Sequence, residues 1–149
     1  MMRLVCYIDG ASRGNPGPGG AGVLITNEKG DELLRISRPI GGKVTNNVAE
    51  YKALVIALQN AHKLGADEVE IHSDSELLVK QMRGEYKIKN PNLARLAIQS
   101  YDLVNKFNRV DFVHILRNHN KIADHLANIG SAVSAGDIKP DQADPDSLI

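Results

Sequence analysis

Three strand-like runs precede the first helical stretch, and that order limits the fold more than any other feature of the chain. Leu4 to Ile8 is an apolar run stopped by Asp9-Gly10. Ala21 to Thr26 and Glu32 to Arg38 read as two more strands around Asn27-Glu28-Lys29-Gly30, a four-residue turn whose Gly accepts positive φ. The Gly- and Pro-rich stretch 10–20 and Gly41-Gly42 read as loops. Helical spacing then begins at Asn46, with Ala57, Leu58, Ala61 and Leu64 three or four residues apart and Gly65 at the C-cap position.

From there strands and helices alternate. Val69 to His72 is a strand, Glu76 to Arg83 a short helix started by Ser73-Asp74-Ser75 and closed by Gly84. Asn90-Pro91-Asn92 opens a longer helix through Phe107, Val110 to Leu116 is a strand, and Lys121 to Ile129 a last helix. The predicted order is β-β-β-α-β-α-α-β-α. Such an order predicts an α/β fold, a mixed five-stranded sheet with helices on both faces.

With 149 residues the chain suits one domain. A single cysteine excludes a disulfide framework and any multi-cysteine zinc site, and Cys6 reads as a small buried hydrophobe. No apolar run reaches the roughly 18–20 residues of a membrane span, and the amino-terminal run is too short for a signal peptide. A cytoplasmic, monomeric protein without membrane contact is expected. The zero net charge is uneven: residues 131–149 hold Asp137, Asp141, Asp144 and Asp146 against Lys139, leaving +3 in residues 1–130. The expected division is therefore a domain over 1–130 and an acidic, flexible tail over 131–149.

Four carboxylates stand where local structure alone does not ask for one. Asp9 and Asp74 each end a strand, and ligands of open α/β sheets gather outside the carboxyl ends of strands. Glu50 shares a helix face with Leu54, Ala57 and Ala61, at roughly 40°, −20° and 20° around the axis. An ionised carboxylate on an apolar face is costly unless paired or bound to a metal. Asp124 sits near the start of the last helix. Each alone could serve as a turn, a cap or a partner of a helix dipole. Together they suit hard cations, Mg²⁺ with Mn²⁺ as a substitute, clamping the attacking and leaving oxygens of a phosphoryl displacement.

Other candidate motifs are weaker. Gly17-Pro18-Gly19-Gly20-Ala21-Gly22 matches a dinucleotide fingerprint in letters, but a strand follows it rather than a helix. It reads instead as a turn-rich connection. Thr45-Asn46-Asn47 caps the helix of Glu50, and a helix start also suits a phosphate. His62, His72 and His114 receive no role. His119, five residues before Asp124 in the polar loop Arg117-Asn118-His119-Asn120, is a candidate for proton shuttling or product release.

These residues resemble the motifs of a known family, the type 1 ribonucleases H. Tyr7-Ile8-Asp9-Gly10-Ala11-Ser12-Arg13-Gly14-Asn15-Pro16-Gly17 resembles its opening motif, and Thr45-Asn46-Asn47-Val48-Ala49-Glu50 its second. Ser73-Asp74-Ser75-Glu76-Leu77-Leu78-Val79 resembles the third and Asn120-Lys121-Ile122-Ala123-Asp124 the fourth, in a short-loop form. The resemblance implies a ribonuclease H-like fold and an endonuclease that cuts the RNA strand of RNA–DNA hybrids without sequence specificity. It implies that Asp9, Glu50, Asp74 and Asp124 carry two Mg²⁺ ions, and that the products end in 3′-hydroxyl and 5′-phosphate. It places Gly10, Ala11, Ser12, Asn15 and Ser75 near RNA 2′-hydroxyls, and Thr45, Asn46 and Asn47 against the DNA strand.

The segment Gly84–Asn90 has two lysines, so the basic handle of some bacterial members is absent or minimal and weaker hybrid binding is expected. Three alternatives compete. A silent binding module does not explain four gathered acids. The same chemistry on another polymer, as in related transposase, integrase or junction-cleaving domains, is opposed by the Gly10-Ala11-Ser12 loop and the Thr45-Asn46-Asn47 segment. A glycosidase needs only two acids, and 6 aromatic residues without tryptophan make a poor sugar cleft.

Overall fold

The computed structural model describes residues 1–140. Its strands are β1 (Arg3–Ser12), β2 (Gly17–Asn27), β3 (Glu32–Val44), β4 (Glu68–Ser73) and β5 (Arg109–His114). Its helices are α1 (Asn46–Lys63), α2 (Glu76–Met82), α3 (Pro91–Val104) and α4 (Lys121–Ser134), with a 3₁₀ turn at Arg117–His119 before α4. They form one sheet in the order β3-β2-β1-β4-β5, antiparallel from β3 to β1 and parallel from β1 to β5. That is the mixed five-stranded sheet and element order expected from periodicity.

Alternation along the strands explains how both faces become covered. Leu4, Cys6 and Ile8 of β1 and Ala21, Val23 and Ile25 of β2 join the core with Tyr51, Leu54 and Leu58 of α1. Every one of these side chains is essentially without solvent exposure. At roughly 25 cal/mol per Å², burial of this kind is the main favourable contribution to folding. Burial also pushes the Cys6 thiol up to about 12, so it stays an inert hydrophobe as expected. On the opposite face α4 lies across β1, β2 and β3.

Two stretches expected as loops are strand. The glycine-rich stretch 17–20 is the start of β2, β1 runs on to Ser12, and β3 continues through Gly41-Gly42 to Val44. A Cβ at Gly20 would stand 2.1 Å from the Ala127 carbonyl oxygen, and one at Gly22 2.2 Å from that of Ala123. Their missing side chains let α4 rest backbone-to-backbone on β2. Locally the same letters look like turns. Because residues 17–22 are strand, the dinucleotide fingerprint is excluded as expected.

α4 extends to Ser134, with Ser131 and Ala132 buried, so the first residues of the expected tail belong to the packed domain. Asp137, just beyond, forms an ion pair with Arg13 of the β1–β2 connection. Asp141, Asp144 and Asp146 lie outside the described residues. Among the described residues no helix is long and apolar enough to cross a membrane.

Candidate active site

Each acid is brought to one point by a separate packing device. Asp9 and Asp74 follow Ile8 and Ser73, the last parallel pair of β1 and β4, so they stand side by side where that ladder ends, β1 itself running on against β2 to Ser12. Glu50 comes from the first turns of α1. A Cβ on Gly10 would lie 2.3 Å from both the Ala49 carbonyl carbon and the Glu50 nitrogen, so only glycine lets α1 approach β1 here. Asp9 pairs in register with Gly22, against which α4 packs through Ala123 and Ala127, and this carries Asp124 to the same end.

Carboxylate oxygens of Asp9, Glu50 and Asp74 all lie within 4.8 Å of one another. Asp124 stands outside that trio but lines the same cavity of about 480 Å³, its carboxylate 3.8 Å from the Arg117 guanidinium. Asp9 is 5 % exposed and Glu50 9 %. Burial, and then the charge of Asp74, push the Asp9 carboxyl up to about 8. Burial and then Asp9 raise Glu50 well above the usual carboxylate range, and burial also raises Asp74. Glu50 Oε2 is fully buried and meets no hydrogen-bond donor among the described residues. An orphaned oxygen in a nest of like charges is a costly arrangement for a protein to keep without a cation. All-oxygen donors fit a hard divalent ion such as Mg²⁺ or Mn²⁺, so the residues present suit the metal that the sequence implies.

The other expected site residues separate into two groups. Gly10, Ala11, Ser12, Asn46, Asn47 and Ser75 line the cavity. Asn15 and Thr45 shape it from outside. Asn15 Oδ1 accepts the Asn46 N–H at 3.0 Å, and Thr45 Oγ1 accepts the Val48 N–H at 3.2 Å, so both hold the start of α1. Ser75 does two things, capping α2 through the Leu78 N–H at 3.2 Å while facing the cavity.

His119 is not among the residues lining this cavity. It borders a second one of about 370 Å³ with Tyr7, Thr26 and Glu32. The reason is local: residues of a 3₁₀ turn advance by about 120° each, so the first and third point apart. Arg117, the first, is the one turned to the carboxylates. Sequence reasoning passed over Arg117 because an arginine in a polar loop carries no periodic signal. Asn128 also lines the cavity, one helical turn after Asp124, a spacing from which it was findable.

Asn120 stands directly before α4, but its side chain makes no cap bond. It is 2 % exposed, and Nδ2 donates to the Ile8 carbonyl at 2.8 Å and to Asp74 at 3.5 Å. This amide ties the turn to the ends of β1 and β4. Asn120→Ala is expected to cost about 2 kcal/mol, because the buried Ile8 carbonyl loses its side-chain donor. A urea midpoint equal to that of the native protein would exclude the tie.

A mixed sheet with antiparallel and parallel halves, and carboxylates gathered where its parallel strands end, defines a ribonuclease H-like domain with an acidic, metal-suited centre. Comparisons agree: residues 7–130 match the family model described as reverse transcriptase-like. The "Bifunctional protein Rv2228c" of Mycobacterium tuberculosis is 40% identical over 148 residues, 99% of this chain and 40% of that protein. The structure of its N-terminal RNase H domain covers 92% of this chain and 99% of that one, with TM-score 0.88 and 39% identity. "Ribonuclease HI" of Halobacterium salinarum is 39% identical over 126 residues, 85% of this chain and 63% of that protein. LC11-RNase H1, isolated from compost and solved in complex with an RNA/DNA hybrid, has TM-score 0.79 and 45% identity, covering 84% of this chain and 94% of that one. The chain belongs to the ribonuclease H family, type 1. It spans about 40% of the length of the mycobacterial relative.

Proposed function

We propose that this chain is an endoribonuclease that hydrolyses the RNA strand of RNA–DNA hybrids, leaving 3′-hydroxyl and 5′-phosphate ends. The observation that carries the reading is the convergence of Asp9, Glu50 and Asp74 around a buried, unpartnered Glu50 oxygen. Asp9, Glu50, Asp74 and Asp124 would hold two divalent ions, Mg²⁺ or Mn²⁺. Ions held there supply Lewis acidity to the attacked phosphate and lower the pKa of the attacking water.

The chain's own residues position the hybrid. The Gly10-Ala11-Ser12 rim offers close backbone approach and one hydroxyl, suited to the 2′-hydroxyls that distinguish RNA from DNA. Asn46 and Asn47, at the start of α1, are suited to a phosphate of the DNA strand, with Asn15 and Thr45 holding that helix start in place. Contacts of this kind go to the backbone rather than to base edges, hence no sequence specificity. The single buried thiol suits a reducing cytoplasm.

The test uses one labelled RNA strand, annealed to DNA, annealed to RNA, or single. Each is incubated with the protein in Mg²⁺, in Mn²⁺ and in EDTA. Metal-dependent cleavage confined to the hybrid is expected. A hybrid that is bound but left intact in both metals would favour a silent binding module instead.

A further inference from the structure

The β1–β2 connection and the end of α4 meet beside the rim of the cavity, and each brings one charge there. Ser12, the last residue of β1, lines the cavity, and Arg13 follows it. A strand advances about 3.3 Å per residue, so Arg13 stands roughly 13 Å beyond Asp9. Its backbone is fixed. The Arg13 N–H donates to the Pro18 carbonyl at 3.0 Å, and the Ser12 hydroxyl to the Val44 carbonyl at 2.5 Å. A Cβ on Gly17 would stand 1.4 Å from the Arg13 carbonyl oxygen, so the connection closes tightly against it.

Asp137 is set in place by a helix cap. Gly136 has φ +79°, its N–H donates to the Val133 carbonyl at 3.0 Å, and the Asp137 N–H donates to the Ala132 carbonyl at 2.9 Å. The Ser134 hydroxyl donates to the Gly19 carbonyl at 2.6 Å and fastens this helix end to β2. So held, the Asp137 carboxylate pairs with the Arg13 guanidinium. The two side chains are 47 % and 56 % exposed, and an ion pair so exposed adds little stability. What the pair does set is the charge that the rim offers to an arriving polyanion. A guanidinium fork takes a carboxylate or a phosphate in the same geometry, so one can replace the other.

We propose that Arg13 is a contact for a backbone phosphate of the hybrid outside the catalytic cavity, and that Asp137 is its built-in competitor. This rests on the hybrid-nuclease reading above. Asp137 occupies the guanidinium until nucleic acid displaces it. At roughly 13 Å from Asp9 the phosphate concerned lies further along the backbone than the one being cut. Arg13 therefore acts on binding, and Asp137 sets how much of that binding the free protein withholds.

The experiment follows hybrid binding in EDTA from about 50 to 300 mM salt, and hybrid turnover in Mg²⁺. It compares the native protein with Arg13→Ala, Arg13→Lys, Asp137→Asn and the double variant Arg13→Ala/Asp137→Asn. Arg13→Ala should raise Kd and KM roughly threefold, leave kcat within about twofold, and reduce the salt slope by about 1. Arg13→Lys, which keeps the charge without the fork, should recover part of the affinity. Asp137→Asn should tighten binding roughly two- to fivefold, the range that breaking an exposed ion pair spans. In the double variant that gain should vanish, because the guanidinium it frees is gone. Melting temperatures of all variants should stay within about 2 °C of native.

Arg13→Ala with native affinity and salt slope overturns the contact. A fall in kcat with KM unchanged overturns it too, since that marks a structural role for the arginine. Asp137→Asn binding no tighter than native, or gaining as much without Arg13, overturns the competition. A native protein that neither binds nor cuts hybrid overturns the reading beneath both.

Discussion

Asp9→Asn is expected to lower hybrid cleavage by roughly 10³-fold or more and, in EDTA, to raise the melting temperature. Both effects come from one carboxylate. Asp9 is 5 % exposed, within 4.8 Å of oxygens of Glu50 and Asp74, and burial with the Asp74 charge pushes it up to about 8. An unfolded aspartate titrates near pH 4. Between about pH 4 and 8 the folded, metal-free protein therefore binds a proton that the unfolded chain has released. Stability is fully present below pH 4 and falls as pH rises towards 8. The fall amounts to a few kcal/mol at most, because the three acids share their protons.

Asparagine carries no such charge, so Asp9→Asn should flatten the slope and raise the melting temperature by roughly 5 °C at pH 8. Saturating Mg²⁺ or Mn²⁺ should do the same for the native protein, by about 3 kcal/mol at a hundredfold excess over Kd. Thermal scans from pH 4 to 9, with and without metal, check both. An Asp9→Asn protein that unfolds earlier than native in EDTA at pH 8 would falsify the repulsion account, and one that cleaves at native rate removes Asp9 from the metal site.

Gly10→Ala should damage fold and site together. The added Cβ would stand 2.3 Å from two backbone atoms of α1, with no flexible side chain at hand to yield. Either α1 withdraws from β1 or the end of β1 bends, and both separate Glu50 from Asp9. A cost of about 3 kcal/mol is expected, at the upper end for overpacking, with activity lost beyond what the stability change explains. Gly42→Ala is the control: a Cβ there meets nothing within 4 Å, and a change under about 0.5 kcal/mol is expected. Urea midpoints and turnover of the folded fraction are the measurements. If Gly10→Ala folds stably and cuts at native rate, the close approach is not what places Glu50.

The acids show how far local pattern reaches. Asp9 and Asp74 were visible because each stands where a two-residue strand period stops, the place where ligands of open α/β sheets gather. Glu50 was visible because a carboxylate on an apolar helical face breaks the 3.6-residue one. Such breaks are local and survive without coordinates. Distance between the acids is not local: it depends on the Ile8–Ser73 register and on how closely α1 and α4 approach β1 and β2. The Asn120 amide also escaped sequence reading, because its partner Ile8 lies 112 positions away.

By itself, then, the sequence determined the order of elements, the mixed sheet, the four acids and the family motifs, since each rests on neighbours along the chain. Only the tertiary structure decided that the stretch 17–20 is ladder rather than loop, and that Gly10, Gly20 and Gly22 are contact points for helices. It alone decided that Arg117 rather than His119 meets the carboxylates. The physical reason is common to these cases. A glycine in a turn and a glycine under a helix have the same local propensity, as do two polar residues on one turn. What separates them is the neighbour that long-range packing brings.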